Sequence, residues 1–171
     1  MKKRLSRTDL LGILRHGSYD QKTGRLDCTG KEQIDLISKK IIEFLCRRGT
    51  KPQDIKITIV SSTAPRAQES AAILAKMLGT EYTSSDVLRS GDGHKEDFEG
   101  ALALYNSLKN EYDVVIFVTH VEYAMDFPNH FGKDQLAVNL GEYKVDNAGI
   151  VILDWRIHVV MDYLIPCYTS I

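Results

Sequence analysis

Leu10-Leu11-Gly12-Ile13-Leu14-Arg15-His16-Gly17 and Val114-Val115-Ile116-Phe117-Val118-Thr119-His120 share one design. Each is five apolar residues long and then turns abruptly polar, with a histidine at or just after the break. An uninterrupted apolar run of that length fits a strand covered on both faces, as in a parallel sheet between helix layers. Ile55 to Val60 is another strand-like run, ending in Ser61-Ser62. Between the runs the periodicity becomes helical. Ile34, Ile37, Ile41 and Leu45 form one stripe, with Thr29 and Glu32 at capping-box spacing before it and Arg47, Arg48 and Gly49 after it. Ala67, Ala71, Leu74 and Leu78 form a second stripe, closed by Gly79. Pro65 is suited to its first turn, and Ser61, Ser62 and Thr63 are candidate caps.

Further along, residues 81–95 read as a weak strand or loop, and Phe98, Leu102, Tyr105 and Leu108 mark a third helix. The polar and aromatic stretch after His120 is expected to break at Pro128. Ile150 to Leu153 and Val159 to Leu164 read as final strands, the last at an edge. Strands alternating with helices predict an α/β fold: three layers, α/β/α, around a mostly parallel central sheet. With 171 residues, one domain over 1–171 is expected, preceded by an N-terminal extension over 1–8.

Composition narrows the function classes. The 22 basic and 23 acidic residues nearly cancel, so no general nucleic-acid footprint is expected. No apolar stretch approaches the length of a membrane span, and the run after Met1-Lys2-Lys3-Arg4 is too short for a signal peptide. A cytoplasmic protein is the expectation. Three cysteines, Cys28, Cys46 and Cys167, form no CxxC pair and read as reduced, mostly buried thiols.

Ligands of parallel sheets bind beyond the carboxyl ends of the strands. Four residues fall at those predicted ends: Arg15, His16, His120 and, early in the second helix, Arg66. Taken singly, each is ordinary. Together they suit phosphate chemistry. Arginine presents a planar fork that matches phosphate oxygens, and histidine can act as a nucleophile or move a proton near neutral pH. A helix N-terminus near Ser62 would add N–H donors for an anion. No Walker loop and no strand-end carboxylate set points to a bound metal, and no cofactor is implied.

On Leu14-Arg15-His16-Gly17, Gly30-x-x-Gln33, Ser62-Thr63-Ala64-Pro65-Arg66-Ala67-Gln68, Val118-Thr119-His120 and Ala148-Gly149-Ile150-Val151-Ile152-Leu153, the chain resembles the histidine phosphatase superfamily, also called phosphoglycerate mutase-like. The resemblance spans about residues 10–155. It implies a phosphohistidine intermediate on His16, a phosphate held by Arg15 and Arg66, and His120 completing the pocket. Ser18 or Tyr19 would line the mouth. Many members place a glutamate proton donor where this chain has Leu88-Arg89-Ser90-Gly91-Asp92-Gly93-His94. Ser90 stands in its place, leaving Asp92, His94, Glu96 and Glu122 as candidate donors. The chain's size and the missing glutamate are similar to the compact phosphohistidine phosphatase branch. The resemblance therefore implies a phosphorylated protein as the partner, with small phosphomonoesters or a catalytically weak phosphate-binding module as the alternatives.

Overall fold

The computed structural model describes residues 10–141, 144–154 and 160–164. The predicted N-terminal extension, Val159 and Cys167 lie outside the described residues. Four parallel strands and two antiparallel ones form a single sheet. In chain order the elements are β1 (Leu10–Arg15), α1 (Cys28–Arg47), β2 (Ile57–Ser62), α2 (Pro65–Leu78), β3 (Tyr82–Ser85), α3 (Phe98–Leu108), β4 (Val114–Thr119), α4 (Val121–Leu136), β5 (Ile150–Asp154) and β6 (Val160–Leu164). The strands lie side by side as β3-β2-β4-β1-β5-β6. β3, β2, β4 and β1 run parallel, whereas β5 pairs antiparallel with β1, and β6 antiparallel with β5 at the edge.

Strand alternation divides the core in two. Leu10, Leu14, Ile57, Ile59, Val114, Ile116, Val118, Ile150 and Ile152 pack with the α1 and α2 stripes. Leu11, Ile13, Val60, Val115, Phe117, Val151 and Leu153 pack with α3 and α4 through Ala101, Tyr105, Tyr123, Phe127 and Phe131. This is the expected three-layer α/β/α arrangement. The connections after β1 and β2 move one way across the sheet and carry α1 and α2. Those after β3 and β4 move the other way and carry α3 and α4 on the opposite face. For the parallel strands, right-handed crossovers require this change of face at β3, where the direction reverses. β1 and β4 are neighbours whose chains leave to opposite faces, so a crevice opens beyond their carboxyl ends.

The structure corrects several local expectations. The cap of α1 is Asp27, whose carboxylate accepts from Gly30 N at 2.7 Å; Thr29 is already helical, so the box spacing to Glu32 is incidental. The second strand starts at Ile57 and runs through Ser61 and Ser62, so those serines are not helix caps. Ala64 holds that position with no side-chain bond, and Pro65 opens the helix. Tyr82–Ser85 is a true parallel edge strand, followed by a 3-10 turn over Asp86–Leu88. Pro128 does not end α4. Its cost in a helix interior, about 3 kcal/mol, is outweighed by the buried stripe of Tyr123, Ala124, Phe127 and Phe131. Cys28 and Cys46 are free and exposed rather than buried, because they sit on the solvent side of α1 near its two ends. Among the described residues no helix is long and apolar enough to cross a membrane.

Candidate active site

The loop after β1 is shaped by close backbone approach. A Cβ on Gly17 would meet Gly30 O at 2.6 Å, so two glycines let the loop lie against the start of α1. Gln33 Oε1 accepts from Ser18 N at 2.8 Å, Ser18 Oγ donates to Asp27 at 2.7 Å, and Ser70 Oγ accepts from Gly17 N at 3.2 Å. These bonds give Gly30-x-x-Gln33 its physical meaning: it anchors the turn that presents His16. Ser18 belongs to that anchor and does not line the cleft, whereas Tyr19 does.

A second loop is tied down from the α3/α4 side. Thr119 Oγ1 donates to Leu88 O at 2.6 Å. Tyr123 Oη donates to Val87 O and accepts from Asp97 N. These ties hold Ser90, Gly91 and Asp92 over the end of β4.

Between the two loops lies a cleft of about 150 Å³ lined by Arg15, His16, Tyr19, Arg66, Ser90, Gly91, Asp92, His120, Val121 and Glu122. The four residues expected from sequence thus converge. His16, Arg66 and His120 are buried, and the His16 and His120 rings are 5.2 Å apart, edge to face. Arg66 joins them: its Nε donates to His16 Nε2 at 3.2 Å and its Nη2 reaches His120 Nδ1 at 3.4 Å. It also stacks over the Tyr19 ring at 4.5 Å. Arg15 Nη1 donates to Val145 O at 2.7 Å, which orients its guanidinium at the cleft wall. At the start of α2, Ala64 N donates to Ser62 Oγ and Pro65 has no N–H. The N–H groups facing the cleft there belong to the Arg66 side chain rather than to the backbone beside Ser62. The N-terminus of α4, at Val121 and Glu122, opens on the same cleft and adds its positive dipole end.

The hydrogen bonds fix both tautomers. Gly17 O can only accept, so His16 Nδ1 carries the proton in that 2.8 Å bond and the Nε2 lone pair faces the cleft. Arg66 donates to His120 Nδ1, so His120 Nε2–H donates to Ser62 Oγ at 2.9 Å. Burial, with Arg66 and Arg15 added, pushes His16 from 6.5 to about 4, against the opposing pull of Gly17 O and Glu122. Burial, then His16, Arg66 and Arg89, push His120 to about 3, with Asp92 opposing. Both imidazoles are therefore neutral at pH 7, the state a nitrogen nucleophile needs.

That neutrality has a consequence for stability. Between pH 6.5 and about 4 the unfolded chain binds two protons that the folded chain refuses. Stability is therefore full above pH 6.5 and falls as pH drops, by up to about 3 kcal/mol per pH unit from this pair. The urea midpoint should fall across that window, and a His16→Asn/His120→Asn double variant should flatten the curve. Equal slopes for the two proteins would contradict the assignment.

The four candidate donors separate. Asp92 is ion-paired with Arg66 Nη2 at 3.0 Å, and that bond holds its carboxyl below the usual range. His94 and Glu96 are exposed and do not line the cleft. Glu122 does line it, and its Oε2 accepts from the buried Ser90 Oγ at 2.7 Å. Sequence reasoning read Ser62 as a candidate helix cap rather than as the partner that orients His120, and gave Ser90 no role as the holder of Glu122. Both links join residues far apart in the chain, and no local pattern announces them. Among the described residues no group of three His, Cys, Asp or Glu side chains is placed to hold a metal ion.

No protein-family model and no curated protein matches the chain. Solved structures do. SixA from Agrobacterium tumefaciens superposes with a TM-score of 0.64 at 18% identity, covering 93% of this chain and 99% of that one. The protein histidine phosphatase SixA complexed with tungstate gives 0.64 at 15% identity, covering 92% and 97%. A mycobacterial glucosyl-3-phosphoglycerate phosphatase complexed with VO3 gives 0.58 at 16%, covering 95% and 100%. The class is thus a three-layer α/β/α fold with a crevice between the ends of β1 and β4. More particularly, the fold is that of the histidine phosphatases, the phosphoglycerate mutase-like fold, as the sequence motifs imply.

Proposed function

We propose that the chain is a phosphatase that works without a metal, through a phosphohistidine on His16. The observation that carries this reading is the His16 Nε2 lone pair, held neutral by burial and aimed into a cleft walled by Arg15, Arg66 and His120. The guanidinium groups supply the positive charge that a metal supplies elsewhere. In the first step Nε2 attacks phosphorus and the bond to the leaving group breaks. In the second, water attacks phosphorus, the P–N bond breaks, and phosphate departs with the Nε2 lone pair restored. Arg66 exchanges its bond to Nε2 for bonds to phosphoryl oxygens as the substrate enters. Structural likeness to proteins described as phosphatases, two of them holding tungstate or VO3, supports the reading.

Two substrate classes follow from two observations. Ser90 in place of a carboxylic acid favours phosphohistidine in a protein, because an imidazole leaves with little help. Glu122, in the cleft and held by Ser90, favours small phosphomonoesters, whose alkoxide needs a proton. The test of the common reading is turnover of a chromogenic aryl phosphate in excess chelator. Sustained hydrolysis is expected. Activity that is lost in chelator and restored by a divalent ion would overturn the metal-free mechanism.

A further inference from the structure

The catalytic cleft continues into a larger one. An outer space of about 490 Å³ shares Tyr19, Arg66 and Asp92 with the inner cleft and is otherwise walled by the 21–24 turn, Pro65 and Arg89. That volume lies within the usual range for small-ligand sites, roughly 300–1,000 Å³. Besides Arg66, two cations line it, from different elements. Lys22 comes from the loop between β1 and α1, and Arg89 from the loop after β3. Neither has an ion-pair partner among the described residues. Asp20, beside Lys22, spends a carboxylate oxygen on the Lys22 backbone N–H at 2.7 Å. Asp92 is the one acid in the lining, and Arg66 already pairs with it.

Arg89 carries a second sign. Its Nε is buried and has no hydrogen-bond acceptor. A buried atom cannot itself meet a ligand in the cleft, so it is the rest of the Arg89 fork, at the cleft wall and without an ion-pair partner among the described residues, that offers donors there. Its charge reaches the inner site too, since it helps to hold Asp92 and His120 below their ordinary values.

We propose that the outer cleft is a subsite for a second anionic group, carried by the part of the substrate that leaves, with Arg89 and Lys22 as its cationic partners. The proposal rests on the phosphatase reading, which places the transferring phosphoryl in the inner cleft and so sends the leaving group outward. The shared chemistry is a carboxylate or phosphate near the scissile bond. It can belong to a small phosphorylated acid or to an acidic side chain flanking a phosphohistidine.

The test compares two aryl phosphates matched in phenol pKa, one with a carboxylate on the ring and one neutral. The native protein should favour the charged ester in kcat/KM by roughly tenfold at low salt, the scale of one charge-assisted hydrogen bond. Added salt should erode that preference, and Arg89→Gln and Lys22→Gln should each move the ratio toward one. Lys22 is exposed on a turn, so its variant reports even where loss of Arg89 perturbs the fold. A second arm compares phosphohistidine peptides with acidic and neutral flanks. A preference there assigns the anion to a protein, and a preference confined to the small esters assigns it to a metabolite. Equal turnover of both aryl esters by the native protein, or a ratio unmoved in both variants, overturns the subsite. Turnover of neither ester overturns the phosphatase reading itself, and the subsite with it.

Discussion

Replacing His16 by Ala is expected to bring phosphatase turnover to assay background, a loss on the order of 10⁴–10⁶-fold, the range seen when a covalent nucleophile is removed. No neighbour can substitute. His120 Nδ1 faces Arg66 and its Nε2–H is committed to Ser62, so no second imidazole lone pair has a clear line to phosphorus. Arg15→Ala and Arg66→Ala should behave differently. Each removes one preorganised cation and leaves the nucleophile, so losses of about 10²–10³-fold are expected. Arg66→Ala should be the worse of the two, because Arg66 also bridges the two histidines and packs on Tyr19. Quenched reactions with labelled substrate should trap an acid-labile, alkali-stable phosphoenzyme in the native protein and none in His16→Ala. A phosphoenzyme that persists in that variant would move the nucleophile elsewhere. Tungstate binding by the variant would show that its cleft is folded.

The parts of the fold that were legible are those whose environment is uniform along the segment. β1 and β4 are covered on both faces, so their first five residues are apolar and the run announces itself. The α1 and α2 stripes are legible because each has one wet and one dry face. β3 was legible only as a weak strand or loop, since Tyr82-Thr83-Ser84-Ser85 is a half-wet edge strand held by its backbone pairing with β2 rather than by apolar side chains. Pro128 misled for the opposite reason: tertiary burial of its neighbours outweighs the local penalty, and sequence shows only the penalty.

The site divides along the same line. Arg15, His16, Arg66 and His120 could be found because parallel-sheet geometry places strand ends together, so position in the pattern already implies convergence. Their partners could not. Ser62 meets His120 across 58 residues and Ser90 meets Glu122 across 32. The first pairing follows from the register of β2 on β4, where Ser61 lies beside Val118, and the second from how the loop after β3 folds over β4, through Thr119 and Tyr123; periodicity encodes neither. The convergence of the first group is therefore open to prediction from sequence, whereas the separation of Asp92, His94, Glu96 and Glu122 shows only in three dimensions.

The second large effect concerns leaving groups. With Ser90 where a carboxylic acid is expected, any help for the departing atom must come from Glu122, the one carboxyl in the cleft not paired with an arginine. If Glu122 gives none, phosphoramidates and aryl phosphates should outpace alkyl phosphates by about 10²-fold or more, since general acid catalysis contributes about 10²–10⁴-fold. Across a phenol series kcat/KM should then rise steeply as the phenol becomes more acidic, because charge on the leaving oxygen stays uncompensated. If Glu122 donates, the series should be shallow in the native protein and steep in Glu122→Gln, with the largest loss on alkyl esters and almost none on a phosphohistidine peptide. The amide of Gln preserves the bond to Ser90 Oγ but cannot deliver a proton, so the change in slope isolates proton transfer from packing. A steep native series that Glu122→Gln leaves unaltered makes phosphohistidine in a protein the substrate class. A shallow series that steepens in the variant makes it small phosphomonoesters. A shallow series in both proteins, with chemistry shown to be rate-limiting, would place the donor outside the cleft described here and contradict the reading of Glu122.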